Sequence, residues 1–198
     1  MAASRRDQLI DTALDLFNRN GYRATGIDRI LAESGVAKMT LYKHFGSKDA
    51  LIQAALDRRD ERWRAWFRDA VARRAETPRG RLLAVFDALE EWFARPDFHG
   101  CMFIRAAGEY AELDDPIHAV AAAHQRLVLG DLRDLAAAAG ARRPARLARE
   151  IMLLALGAMV ATQVNGPVGA GQAAKKAAAV LIDAALAPGA TRAPDGGA

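Results

Sequence analysis

The chain has 198 residues, 52% hydrophobic and only 7% aromatic, with a formal net charge of +4 and an isoelectric point near 9.6. That is enough for one large domain, or a small one joined to a mid-sized one, with alanine supplying much of the apolar surface. Hardly any segment alternates apolar and polar residues, which argues against strands and for closely packed helices. The mild basic excess suits a nucleic-acid partner without requiring one. A single cysteine, Cys101, rules out an intramolecular disulfide and points to a reducing compartment. It reads either as a small buried hydrophobe or as a redox or ligand-sensing thiol. Charges interrupt the first apolar stretch, MAASRRDQLIDTAL, so it does not read as a signal peptide. The longest apolar run, Ile151 to Val164, is shorter than the roughly 18 residues of a membrane span. A cytoplasmic protein with no membrane partner is expected.

Ser4 reads as the N-cap of the first helix, with Asp7 three residues on in capping-box spacing. Leu9, Ala13, Leu16 and Phe17 then form one apolar stripe, ended by Asn20-Gly21. Arg5 and Arg6 sit at the positive end of that helix's dipole, which is unfavourable unless an anion such as a phosphate stands nearby. A solvated basic turn is the alternative. Thr25 is the expected N-cap of the second helix, with Asp28 at the capping-box position, and this helix runs to about Ser34 before Gly35. The third, from about Ala37 to Phe45, is too short to stand without packing of Val36, Leu41 and Phe45. Ser47 caps a long fourth helix, Lys48 to about Ala75. Lys48 there lies beside free backbone N–H groups, a suitable phosphate site.

Further helices are expected over Pro78–Arg95, Cys101–Leu113, Pro116–Ala139, Pro144–Asn165 and Gln172–Ala187. The tail, 188–198, has no core-forming residues and is expected to be disordered. The fold class is therefore all-α, with a helix-turn-helix unit over 1–47 and a larger helical domain over 48–187. Ile151, Leu154, Ala155, Ala158, Met159 and Thr162 give one late helix a broad apolar face; Ala173, Ala177, Val180, Leu181 and Ala184 do the same for the last. These faces could cover one monomer or pair across a two-fold axis. Pairing is preferred, because a helix-turn-helix reader normally binds two half-sites as a dimer.

Between the apolar anchors of the third helix lie Lys38, Thr40, Tyr42, Lys43 and His44, all able to point outward and donate hydrogen bonds to DNA. The run GVAKMTLYKHFGSKDAL closely resembles the N-terminal DNA-binding domain of the TetR (tetracycline repressor) family of bacterial transcriptional regulators. The resemblance covers roughly Ser4 to Ala55. It rests on Gly21-Tyr22, Thr25, Gly35-Val36, Thr40-Leu41-Tyr42, His44-Phe45 and Ser47-Lys48; the rest matches in helix number, order and length. It implies an all-helical homodimer of about nine helices per subunit. The first three would bind a double-stranded DNA operator, and the last two (about 144–165 and 172–187) would form the dimer interface. The helices between would enclose a small-molecule effector.

By position, the resemblance implies that Lys38 and Thr40 face the groove and that Lys43 reaches a base edge or the backbone. Thr25, Tyr42, His44 and Lys48 would contact phosphates. Residue chemistry agrees, since Lys can donate to guanine, Thr can meet a thymine methyl, and Tyr and Lys bind phosphate. Tyr42 could instead be a core aromatic, although Leu41 and Phe45 already supply that face. Ala37 stands where serine is frequent, so a cap of roughly 0.5–2 kcal/mol is missing. Met39 stands where glycine is common, and would contact a thymine methyl or hold the backbone away from the groove.

A sensor needs a cavity lined by apolar and aromatic groups with a few polar ones. Candidates are Trp66, Trp92, Phe93, Met102, Phe103, Arg105, Glu109, Tyr110, His124, Met159 and Gln163. Glu109 and His124, set in otherwise apolar helices, are the expected polar contacts; for each, an exposed or salt-bridged role is the alternative. His118 and His124 are six apart, about 240° around one helix, and share no face. Metalloprotease, hydrolase, phosphate-loop and cysteine–histidine metal spacings are absent, so no catalysis, cofactor or metal is expected. A ligand-independent architectural DNA-binding protein is the rival, against which a roughly 140-residue helical appendage argues. The function expected is a repressor that binds a palindromic operator as a homodimer and is released by a small molecule.

Overall fold

Residues 4–187, which the computed structural model describes, form nine α-helices and, among these residues, no strand. They are α1 (Arg5–Asn20), α2 (Ile27–Ser34), α3 (Lys38–Phe45), α4 (Lys48–Arg74), α5 (Pro78–Phe93), α6 (Met102–Glu109), α7 (Pro116–Ala138), α8 (Pro144–Asn165) and α9 (Ala170–Leu186). The tail expected to be disordered lies outside the described residues.

Four of the nine helices start where the sequence supplies a side-chain acceptor for an orphan N–H. Ser4 Oγ accepts from Asp7 N–H at 3.1 Å, Ser47 from Ala50 at 3.1 Å, Thr77 from Gly80 at 3.1 Å and Asp115 from Ile117 at 2.7 Å. Proline opens the first turn of α5, α7 and α8, where its missing N–H costs nothing. The second helix departs from this pattern. Gly26, not Thr25, is its N-cap, and no side chain caps it. Thr25 is fully buried and donates its hydroxyl to the Gly21 carbonyl at 2.7 Å, closing the α1–α2 turn. α6 ends at Glu109 rather than 113, since Leu113 is exposed and offers no packing that would prolong it.

In the N-terminal unit, Leu9, Ala13, Leu16 and Phe17 are fully buried on α1, and Gln8 donates to the Ser34 carbonyl at 2.7 Å, tying α1 to the end of α2. α3 has eight residues and no side-chain cap, as Ala37 implies. Buried Val36 and Leu41 and half-buried Phe45 hold it. Cutting Leu41 back to alanine would cost about 2–5 kcal/mol, more than so short a helix can supply itself.

α4 belongs to both parts of the chain. It packs on α1 and α3, and also on α5 and α7. Leu51, Ile52, Ala55 and Leu56 are buried near its start, and Phe67, Ala70 and Val71 near its end. Arg58 pairs with Asp7 and Asp11, and Arg62 with Asp11 at 2.9 Å. Packing along α4 is thus continuous across the expected division at 47/48. α5 is the centre of the larger part, buried on most sides and packed on α4, α7, α8 and α9.

The α8 row expected at an interface is the inward one: Ile151, Ala155, Ala158, Met159 and Thr162 are buried and Leu154 is half-buried. The outward row is instead Leu153, Gly157, Val160 and Val164. On α9, Ala173, Ala177, Val180 and Ala184 face outward, while Leu181 is half-buried. Apolar residues on both sides make α8 more apolar than the uninterrupted run suggested. Its best 18-residue window reaches a mean hydropathy of 1.5, long and apolar enough to cross a membrane by length and composition. Its inner face is spent on α7 and α9.

Candidate nucleic-acid interface and effector cavity

Burying Leu41 fixes which way the rest of α3 points. Lys38, Met39, Tyr42 and Lys43, at helical i, i+4 spacing, form one outward face, with Met39 84% exposed. His44 is also exposed, and Thr40 is half-buried beside them. Lys38 lies 3.9 Å from Asp28, an open ion pair that solvent weakens. Arg6 covers the Phe45 ring at 5.6 Å, placing a cation at the edge of this face. Lys48 is half-buried at the first residue of α4. Burial lowers its pKa, opposed by the charges of Asp49 and Glu109, so a bound anion would favour the ammonium form. The surface thus joins phosphate-type donors to a few side chains that can reach base edges. Thr25, buried in its turn, presents no side chain to it.

Glu109 is not a cavity residue. From the end of α6 its carboxylate accepts the Tyr22 N–H with both oxygens at 3.1 Å and the Arg23 N–H at 2.7 Å. Arg23 Nε returns a bond to the Glu109 carbonyl at 2.8 Å. Arg105 likewise turns away from the interior, donating to the Phe17 and Asn18 carbonyls at 3.2 and 2.8 Å and to His99 at 2.8 Å. The buried Tyr22 hydroxyl donates to the Met102 carbonyl at 2.9 Å, and burial keeps the phenol neutral. Gly21 is required at this junction. Its φ is 85°, and a Cβ would stand 2.7 Å from Glu109 Oε1. The α1–α2 turn is therefore hydrogen-bonded to α6 along its length.

Behind α6 lies a narrow cavity among α4, α5, α6, α7 and α8. Of the sequence candidates, Trp92, Met102, Phe103, His124 and Met159 line it. Trp66, Arg105, Glu109 and Gln163 do not. Trp66 lies on the outer side of α4 under the Arg95 guanidinium, 4.2 Å from its ring centre. Gln163 is exposed, its amide resting where a Cβ of Gly100 would be. Phe93 is buried elsewhere in the core, and Tyr110 sits at the junction, edge-on to Tyr22 and under the Arg23 guanidinium. Cys101 lines the cavity as a buried thiol, its pKa raised by burial, which suits the hydrophobe reading.

Most of the remaining lining residues are apolar, but three that were not among those expected carry hydrogen-bond donors: Arg59, Trp63 and Gln125. Arg59, Trp63 and Phe67 form one i, i+4, i+8 row along α4. The His124 ring stacks on Phe103 at 3.6 Å, and Trp63 meets it edge-on at 5.7 Å. His124 Nδ1 lies 2.6 Å from Asp60, which also accepts from Arg64 Nε at 2.9 Å. Burial depresses the His124 pKa, with Asp60 opposing, so the neutral imidazole donates Nδ1–H to the carboxylate. For Asp60, burial raises the pKa, but the hydrogen bonds from Arg64 and His124 outweigh it and keep the group ionised.

Two donors lack a protein partner. The Trp63 indole N–H is buried without an acceptor, a cost of about 1–3 kcal/mol. Arg59 forms no hydrogen bond or ion pair among the described residues, and burial pushes its pKa down, with Asp97 opposing. The cavity's volume is only about 30 Å³, room for roughly one water. A bound small molecule would have to open it.

An outward-facing short helix on a three-helix head, hydrogen-bonded to a helical domain that encloses an aromatic cavity, defines a helix-turn-helix transcriptional regulator. The family model for bacterial regulatory proteins of the tetR family matches residues 9–55, and that for a tetracyclin repressor-like C-terminal domain matches residues 78–178. The chain belongs to the TetR family. SCO4454, a TetR-family transcriptional regulator from Streptomyces coelicolor, superposes with a TM-score of 0.85 at 31% identity, over 92% of this chain and 96% of that one. The HTH-type transcriptional activator FasR of Mycolicibacterium smegmatis is 37% identical over 100 residues, 50% of this chain and 45% of its own length. The HTH-type transcriptional regulator YjdC of Escherichia coli is 24% identical over 81% of this chain and 84% of its length. Members of this family are transcriptional regulators, which are not enzymes.

Proposed function

We propose that the protein is a homodimeric cytoplasmic repressor that holds a two-fold symmetric DNA operator and releases it when a small molecule enters the cavity. One observation carries the reading: α6 lines the cavity with Met102 and Phe103 and binds the DNA-reading head through Glu109, Arg105 and the Met102 carbonyl. A ligand that parts the cavity walls must move α6 or its neighbours. The head, bonded to α6, then moves with it. Only a ligand that prefers the moved state shifts the balance. A cavity with room for one water in the closed state supports that condition.

Lys38, Met39, Thr40 and Lys43 are the proposed base readers, with Tyr42, His44 and Lys48 on phosphates. The outward rows of α8 and α9 are the proposed dimer face, where small residues such as Gly157 and Ala177 allow close helix approach. Two heads in such a dimer would address half-sites about 34–36 Å apart, one turn of DNA. A dimer clamped there keeps other proteins off the operator, which is the repressing role. Selection of bound DNA from a random pool tests this reading. It should enrich two inverted half-sites spaced by about one turn; binding with no symmetric preference would instead fit the architectural alternative.

A further inference from the structure

We infer that the effector is a small organic carboxylate with an apolar body, which enters between α6, α7 and α8 and pairs its charged group with Arg59 and the Trp63 indole N–H. This inference rests on the cavity being the effector site. Arg59 and Trp63 are one turn apart on the same face of α4, so a single two-oxygen acceptor can meet both. Both donors are unpaired: the Trp63 N–H is buried without an acceptor, and the Arg59 guanidinium has no partner among the described residues. The acids nearby cannot serve. Asp60 is bound by Arg64 and His124, Asp131 by Arg68 at 2.7 Å, and Asp97 is exposed on the α5–α6 loop without an ion pair to Arg59. Every other lining group but His124 and Gln125 is apolar, aromatic or the buried thiol. The missing partner is therefore an anion, and the rest of the ligand is apolar.

The route follows from a second feature. An open groove of about 620 Å³ lies outside the cavity, between α6, α7 and α8. The two spaces share four residues, Phe103, Gln125, Met152 and Leu156, which form the wall between them. Gln125 and Met152 are long and unbranched and can turn aside without breaking a side-chain hydrogen bond among the described residues. The groove is apolar apart from Gln125, His118 and Arg126, so an apolar body is favoured along the path, with a cation at hand for an acid.

The test compares acids with their primary amides on the full-length protein. Decanoate and phenylbutyrate, each beside its amide, are titrated while tryptophan fluorescence and thermal stability are followed; two of the three tryptophans line the cavity. The acids should bind about ten- to a hundredfold tighter than the amides. Arg59→Gln should bring that ratio to within about threefold while leaving amide binding in place, and Arg59→Lys should restore part of it. Amides binding wild-type protein as tightly as acids would overturn the anion assignment while leaving a sensor cavity. So would an acid-to-amide ratio untouched by Arg59→Gln. The first comparison needs no variant and stands if the variant fails to fold. If neither acids nor amides change fluorescence or stability in protein that still binds DNA, the cavity is not the effector site and both readings fall.

Discussion

Replacing Glu109 with glutamine keeps the shape of the side chain and removes its charge where α6 meets the DNA-reading head. The carboxylate now accepts two backbone N–H groups, from Tyr22 and Arg23, with its shortest contact at 2.7 Å. Hydrogen bonds to a charged acceptor contribute about 1.5–3 kcal/mol each. Glutamine keeps one carbonyl oxygen but turns an NH2 toward the second donor, and the site is partly open to solvent. The net loss should be about 2 kcal/mol. For a chain of this size that lowers Tm by about 4–8 °C. It should also reduce protection of the Tyr22 and Arg23 amides from hydrogen exchange by about thirtyfold, with amides inside α7 and α8 affected far less. Calorimetry and site-resolved exchange read the two effects. Unchanged protection at Tyr22 and Arg23 together with an unchanged Tm would refute the docking role of Glu109.

Lys48→Ala should weaken binding by a similar factor across operator variants and reduce the slope of log affinity against log salt by about 1. Loss of discrimination at one base pair would show that Lys48 reads sequence. Val160→Asp places a charge on the exposed apolar row of α8, and sedimentation should show a dimer for wild type and a monomer for the variant. An unchanged oligomer would move the interface elsewhere. His124 resists protonation when folded but titrates near its ordinary 6.5 when unfolded, so the unfolded state binds more protons below that pH. Stability should be full above about pH 6.5 and decline as the pH falls toward 5, a slope that His124→Gln removes. Equal slopes in both proteins would contradict the neutral imidazole.

The helix-turn-helix was legible because its signals are local. Gly35, Ser47 and the apolar anchors Val36, Leu41 and Phe45 settle α3 within about ten residues, and its polar face follows. Thr25 misled for a reason just as local. The Thr-x-x-Asp spacing fits a capping box, yet Gly26 takes the cap and the threonine hydroxyl is spent on Gly21. The interior was harder to read. α4 is buried at both ends, and the charged run between them leaves the helical phase open. Trp66 was the expected inward residue, and Trp63, three positions earlier, is the one that lines the cavity. Glu109 and Arg105 stand out as polar residues in an apolar helix, but their partners lie some 87 residues away on backbone atoms, which no side-chain pattern announces. α8 carries apolar rows on both sides, so composition could not say which one faces inward.

Coupling between cavity and DNA is the central claim, and one titration addresses it. Labelled operator recovered by selection is bound by the full-length protein, and anisotropy is followed with and without a saturating carboxylate that perturbs the cavity tryptophans. The account predicts that operator affinity falls at least tenfold in wild-type protein and by a clearly smaller factor in Glu109→Gln. Operator affinity unchanged by a ligand that demonstrably fills the cavity would contradict it.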